Sequence, residues 1–257
     1  PEKGTDRTRP YPILLLGTFA SLAQVGGRSL VGRILEQFKR AGCPVEALVY
    51  SDKVGASGRL PSLTASSSCP ALPEAEFVSQ KLASLPADRL VLLIDGTYLF
   101  DQRLILRACT WEQPGVLIDS APADGGHQCP NLDGVAYAGM LALTAGGLRQ
   151  ALQAGGTILG VQAQIRGGDI QTHDIADMPT YSRELRQARR PFWLQVLSAD
   201  DRKRAAKILA DASGKGHQEL MVLLCNRPIE TFLARYVCNL KITPNQITLL
   251  SLLTGFA

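Results

Sequence analysis

Ile13-Leu14-Leu15-Leu16-Gly17 is an uninterrupted apolar run closed by a glycine. Such a run suits a strand buried on both faces, as strands of a parallel sheet are. It is far too short to cross a bilayer, which takes roughly 20 apolar residues. Downstream, Leu30, Ile34, Leu35 and Phe38 fall on one face of a helix over Leu30 to Ala41. Arg33, Glu36, Gln37 and Lys39 fall on the other face, and Gly42 closes the helix. Val45 to Tyr50 reads as the next strand, and Leu90 to Ile94 as a further buried one ended by Asp95-Gly96-Thr97. Strands alternating with helices predict an α/β fold, a Rossmann-like mixed sheet with flanking helices, mostly parallel strands and right-handed crossovers. Ligands of such sheets bind at the carboxyl ends of the strands, which puts Gly17, Asp95 to Thr97 and Asp119 near any active cleft.

The same reading predicts a flexible lead-in over residues 1–12 and a Ser/Gly/Pro-rich loop from Gly55 to Pro73. Helices follow over Glu74 to Leu85, Leu99 to Cys109 and Leu148 to Gln153, with a strand at Val116 to Ile118 and a Gly/Pro loop at Pro122 to Pro130. Ile158 to Ile165 and Ile170 to Ile175 flank Gly167-Gly168, the pattern of a hairpin. The α/β domain is expected to run over 13–190. A basic helical linker follows at 191–227.

Composition excludes several classes. The 257 residues are 46% hydrophobic and 19% charged with a net charge of +4, too little for a nucleic-acid binder, and no basic tract is interleaved with stacking aromatics. The six cysteines form no CxxC pair or other zinc spacing, which leaves reduced thiols of a cytosolic domain. His127 and Cys129 have no partner ligands, and Ser29 and Ser182 have no His/Asp at a recognisable spacing for a hydrolase triad. From Tyr181 onward the chain turns basic, with Arg183, Arg186, Arg189, Arg190, Arg202, Lys203, Arg204 and Lys207. This is either a solvated helix face or a face turned to anionic lipid headgroups, where each basic residue is worth about 1 kcal/mol.

The C-terminal segment carries the sharpest pattern. After Pro228, the residues Ile229, Phe232, Leu233, Tyr236, Val237 and Leu240 recur at helical spacing and make a broad apolar stripe over 228–241. Thr243-Pro244-Asn245-Gln246 is a capping box with proline in the first helical position. From Ile247 to Ala257 no residue is charged, as in a helix deeply buried or in lipid. An interfacial helix, a tight cap and an uncharged helix together predict the start of an all-α membrane domain. The chain begins at Pro1 and stops inside this apolar run, so it is expected to be a fragment.

Asn226-Arg227-Pro228-Ile229-Glu230, followed by Ile242-Thr243-Pro244-Asn245-Gln246-Ile247-Thr248, resembles the opening of the CDP-alcohol phosphatidyltransferase family. The match covers about the last forty residues. In that family a juxtamembrane helix precedes a TPNxxT motif that begins the first transmembrane helix. The resemblance implies a membrane transferase of phospholipid synthesis that passes a substituted phosphate from a CDP-linked donor to an alcohol and releases CMP. It further implies Mg²⁺ or Mn²⁺ held by a downstream Asp-x-x-Asp-Gly-x-x-Ala-Arg motif, which this chain does not contain. Also implied are a membrane location with the N-terminal domain on the cytoplasmic side, and a homodimer. By position, Pro244, Asn245 and Thr248, with Thr243, would line the nucleotide pocket, although capping alone explains them.

Val25-Gly26-Gly27-Arg28-Ser29-Leu30 through Gly42 resembles the sugar-phosphate and inositol-phosphate nucleotidyltransferases, loosely from Ile13 to Arg190. Some CDP-alcohol phosphotransferases carry such a domain ahead of the membrane part. The departures are specific. The family's loop after the first strand is Gly-rich with an Arg and cradles triphosphate on backbone N–H groups. Here Gly17 leads through Thr18-Phe19-Ala20-Ser21, and the catalytic lysine position falls at Ala20. The first metal-binding Asp falls at Thr97, unless a shift of two residues lets Asp95 replace it. Only Asp174, in His173-Asp174-Ile175, matches the second, and a lone carboxylate is a weak Mg²⁺ ligand. The domain is therefore expected to keep the fold and lose the transfer reaction, binding nucleotide at most through Gly17, Asp95 and Thr97. A working nucleotidyltransferase and a non-catalytic scaffold are the alternatives.

Overall fold

A computed structural model describes residues 9–56, 69–122, 131–132, 135–154, 157, 170–182 and 187–213. Strand β1 (Tyr11–Leu16) leads through a short hairpin, Gln24–Val25 with Arg28–Ser29, into helix α1 (Leu30–Arg40). Gly26 and Gly27 make that turn with φ of 55° and 76°. The Ser29 side chain accepts from the Gly32 N–H and caps α1, and Gly42, with φ 71°, lies just past its end. Strands β2 (Ala47–Tyr50) and β3 (Ala71–Pro73) follow, then a helical segment over Glu74–Glu76 and Phe77–Leu82. Next come β4 (Leu90–Asp95), β5 (Tyr98–Phe100), α2 (Gln102–Ala108) and β6 (Gly115–Asp119). The chain continues through β7 (Val135–Thr144), α3 (Ala145–Gln153), β8 (Gln171–Asp174), β9 (Trp193–Gln195) and α4 (Ala199–Ser213).

The main sheet is eight-stranded, in the order β8-β6-β7-β4-β1-β2-β3, with Asn131–Leu132 added to β7. β1 pairs in parallel with both β2 and β4, so the direction of winding reverses between β1 and β4. β7 runs antiparallel to its neighbours β4 and β6, and β8 is parallel to β6. Because both faces are covered, β1 is apolar throughout. Leu14 and Leu16 pack with Val31, Ile34 and Phe38 of α1 and Leu104 of α2, whereas Ile13 and Leu15 pack with Phe77, Leu82 and Leu148.

Three expectations are corrected. The helix expected from Leu99 to Cys109 starts only at Gln102, because Asp101 caps it through the Arg103 N–H; Tyr98–Phe100 instead pairs as a strand with Trp193–Gln195. The Gly55 to Pro73 loop ends in β3, since Ala71–Pro73 finds a parallel partner in β2. The hairpin about Gly167-Gly168 has its first arm outside the described residues, and its second arm lies parallel to β6 as β8. The α/β body also extends past Arg190: Val25, Leu30, Leu99, Val196 and Ala205 form one buried cluster that holds β9 and α4 against the hairpin and α1.

Among the described residues no helix is long and apolar enough to cross a membrane. The lead-in up to residue 8, the juxtamembrane residues Ile229, Phe232, Leu233, Tyr236, Val237 and Leu240, the positions Pro244, Asn245 and Thr248, and the loop bearing His127 and Cys129 all lie outside the described residues.

Candidate active cleft

In an open α/β sheet the ligand crevice opens where the winding reverses, here at the carboxyl ends of β1 and β4. Gly17 follows β1 and Asp95 ends β4. Leu15 is in register with Asp95, and the Gly96 N–H donates to the Leu15 carbonyl at 2.9 Å. The Gly17 carbonyl accepts from Ser51 Oγ at 3.1 Å. Residues Phe19–Leu22 wind into a 3₁₀ turn, closed by the Ser21 N–H and Oγ on the Thr18 carbonyl. Ser21 is fully buried by this turn. A Cβ placed on Gly96 would sit 2.8 Å from the Leu15 carbonyl oxygen and 3.3 Å from Ser21 Cβ. The turn therefore packs directly on Gly96, in the place a phosphate-binding loop would leave open.

Asp95 and Thr97 are turned toward each other. Asp95 Oδ1 accepts from the Thr97 N–H at 2.9 Å and from Thr97 Oγ1 at 2.8 Å. Burial pushes the Asp95 carboxyl above its ordinary value, and the two Thr97 bonds pull the other way. The buried Tyr137 hydroxyl has no hydrogen-bond partner among the described residues, and its pKa is driven well up by burial and then by the charge of Asp95. Gln195 reaches Thr97 Oγ1 at 3.5 Å, while its buried Oε1 has no partner among the described residues.

Asp119 and Asp174 form a second group. The parallel register of β8 on β6 puts Asp174 beside Ile118. Asp119 is 3% exposed; its Oδ1 accepts from the Arg190 guanidinium and from the Ala121 N–H, and its Oδ2 accepts from Trp193 Nε1 at 2.7 Å. Arg190 also donates to the Ala121 carbonyl. Asp174 Oδ1 accepts from the Ser120 and Ala176 N–H groups. Burial pushes the Asp174 carboxyl up, but these bonds and the Arg190 charge outweigh it and hold the pKa low. Asp95 and Asp174 are not brought together: β7 and β6 lie between their strands, three spacings or about 14 Å across the sheet.

His173 turns away from Asp174 and stacks on Trp111, ring centroids 4.4 Å apart. Burial, then Arg107, lowers its pKa, and its Nε2 has no partner among the described residues. Of the expected lipid-facing cations, Arg190 is turned inward onto Asp119, and Arg189 lies 5.4 Å over the Phe192 ring. Arg202, Lys203, Arg204 and Lys207 remain exposed on α4. Arg190, Trp193, Gln195 and Tyr137 were not readable as cleft residues, since only β7 and β9, brought in from distant sequence, place them there.

Solved structures share this fold at low sequence identity. The fold is similar to that of a solved structure described as a nucleotidyltransferase. A protein described as a glucose-1-phosphate thymidylyltransferase, from Bacillus anthracis and in complex with a sucrose, superposes with a TM-score of 0.51 at 11% identity, over 77% of this chain and 94% of that one. The 4-diphosphocytidyl-2C-methyl-D-erythritol synthase of Anaerococcus prevotii gives 0.49 at 10% identity over 78% and 98%. The inositol-1-phosphate CTP transferase of T. maritima gives 0.46 at 11% over 78% and 96%. The sequence matches no protein-family model and no curated protein.

The Mg²⁺ or Mn²⁺ implied by the nucleotidyltransferase resemblance needs carboxylate oxygens free to coordinate it. Asp119 has both oxygens engaged, one of them by a guanidinium that would repel a cation. Asp95 is turned onto Thr97 and is disfavoured as an anion. Among the described residues no group of three His, Cys, Asp or Glu side chains is placed to hold a metal ion. These residues do not fit a divalent cation.

Proposed function

We propose that this chain is the leading part of a membrane CDP-alcohol phosphotransferase, and that its nucleotidyltransferase-fold domain has given up nucleotidyl transfer. One observation carries the second half: the 3₁₀ turn of Phe19–Leu22 packs onto Gly96 and offers no lysine or arginine to a triphosphate. Phosphoryl and nucleotidyl transfer depend on positioned cations and donors around the transferring phosphorus. Ala20 supplies neither. Support for the first half comes from the Asn226 to Thr248 pattern and the uncharged run after it. In this reading the domain is a cytoplasmic module, and the C-terminal segment meets membrane lipid and leads to the site that takes the CDP-linked donor. A homodimer through the membrane helices belongs to the same reading.

The fold by itself favours a second reading, a working cytidylyl- or other nucleotidyltransferase that makes an NDP-linked alcohol. Its remaining asset is Asp174, held ionised at the end of β8. The test of the first reading is CMP release by the full-length protein in detergent or vesicles, given Mg²⁺ or Mn²⁺, a CDP-linked donor and a panel of alcohols. Metal-dependent CMP release supports it. A folded, full-length protein that releases no CMP from any CDP-alcohol sinks it.

A further inference from the structure

We propose that Arg190 is the resident cation of this cleft, and that the β6–β8 edge works without a divalent metal. Asp119 is almost fully buried, and a buried carboxylate has to be paired. The partner here comes from the chain itself: Arg190 binds Asp119 through one nitrogen and the Ala121 carbonyl through another, so the guanidinium is fixed at two points.

The segment that carries it is also fixed. The Asp101 N–H donates to the Phe192 carbonyl, β9 pairs with β5, and Arg103 Nη1 donates to the carbonyls of Thr180 at 3.2 Å and Arg189 at 2.9 Å. Arg103 is itself clamped on Asp101 by two side-chain bonds. Arg190 is thus delivered to the carboxylates by the tertiary fold and does not reach them as a loose surface side chain. Its charge extends to Asp174, the other carboxylate at this edge. A guanidinium pinned on Asp119, with its charge felt at Asp174, takes the place a bound divalent ion would have there, and its charge excludes that ion.

The experiment is Mn²⁺ binding, read as loss of the free-ion paramagnetic resonance signal, together with thermal unfolding in EDTA and in 10 mM Mn²⁺. The wild-type chain, Arg190→Gln and Arg190→Lys are compared. Wild type and Arg190→Lys are expected to bind no Mn²⁺ and to unfold at the same temperature in both media. Arg190→Gln is expected to unfold lower in EDTA and to recover about 5 °C or more in Mn²⁺, with one ion bound. If Arg190→Gln does not fold in EDTA, refolding it with Mn²⁺ is the readout: recovery supports the assignment and failure overturns it. Stoichiometric Mn²⁺ binding by the wild type that Asp119→Asn abolishes also overturns it. So does a folded Arg190→Gln that ignores Mn²⁺.

Discussion

Gly96→Ala probes the packing that closes the cleft. With the turn drawn away, a methyl at this position would still meet β1 and lose only its contact with Ser21. Here it meets the Leu15 carbonyl oxygen at 2.8 Å, Leu16 Cδ2 at 2.9 Å and Ser21 Cβ at 3.3 Å. The Leu16 methyl can turn aside. The Leu15 carbonyl cannot, because it belongs to the central strand and accepts the Gly96 N–H itself at 2.9 Å. Overpacking by one methyl costs about 1–3 kcal/mol, and a backbone atom as first contact puts this site near the top, about 3 kcal/mol. For a domain of this size the unfolding midpoint then falls by about 6–12 °C. The assay is thermal unfolding of the full chain at pH 7 followed by near-UV circular dichroism. A variant that unfolds within about 1 °C of the wild type would refute the close packing of Gly96 against β1 and the turn.

Further outcomes follow from the carboxyls. Asp95→Asn keeps an acceptor for Thr97 and removes a carboxyl whose folded pKa is raised by burial. A raised acid costs stability above its folded pKa, so the variant is expected to be more stable than wild type at pH 7, and the gain to vanish as pH falls through that pKa, as a pH series of unfolding midpoints would register. Asp201 accepts from the Leu197 and Ser198 N–H groups and from Ser198 Oγ at the start of α4. Asp201→Ala is expected to cost about 1–2 kcal/mol in urea unfolding at pH 7. Burial pushes the Asp201 carboxyl up, but the Ser198 bonds win and leave it low. A depressed acid gives stability that is present above its unfolded pKa, so the wild-type advantage over Asp201→Ala should disappear as pH drops below about 4.

Much of the sheet could be read from the sequence because burial on both faces leaves a plain mark. β1, β2 and β4 are unbroken apolar runs, and α1 carries its stripe, cap and closing glycine within a dozen residues. β7 left no such mark. Val135–Thr144 is mostly apolar, but its alanines and Gly139, which takes φ 82° at the irregularity between Tyr137 and Leu141, leave no period of two. β5 was hidden because Tyr98-Leu99-Phe100 merges with the apolar face of α2, and only its distant partner β9 makes it a strand. In the cleft, the strand ends named Gly17, Asp95 to Thr97 and Asp119 by position, and Asp174 came only with the resemblance to the nucleotidyltransferases. Arg190 could not be told from its neighbours in a basic stretch. Its role depends on Asp119, 71 residues earlier, and no local pattern links the two.

Pyrophosphate release is the most direct measurement. The full chain is given CTP, Mg²⁺ and a phosphorylated alcohol such as inositol phosphate, and pyrophosphate is followed by a coupled assay. A nucleotidyltransferase fold with Ala20 in the loop after β1 and Arg190 on Asp119 is expected to release none above the protein-free blank. Steady pyrophosphate release that Asp174→Ala abolishes would contradict it and make this domain a working nucleotidyltransferase.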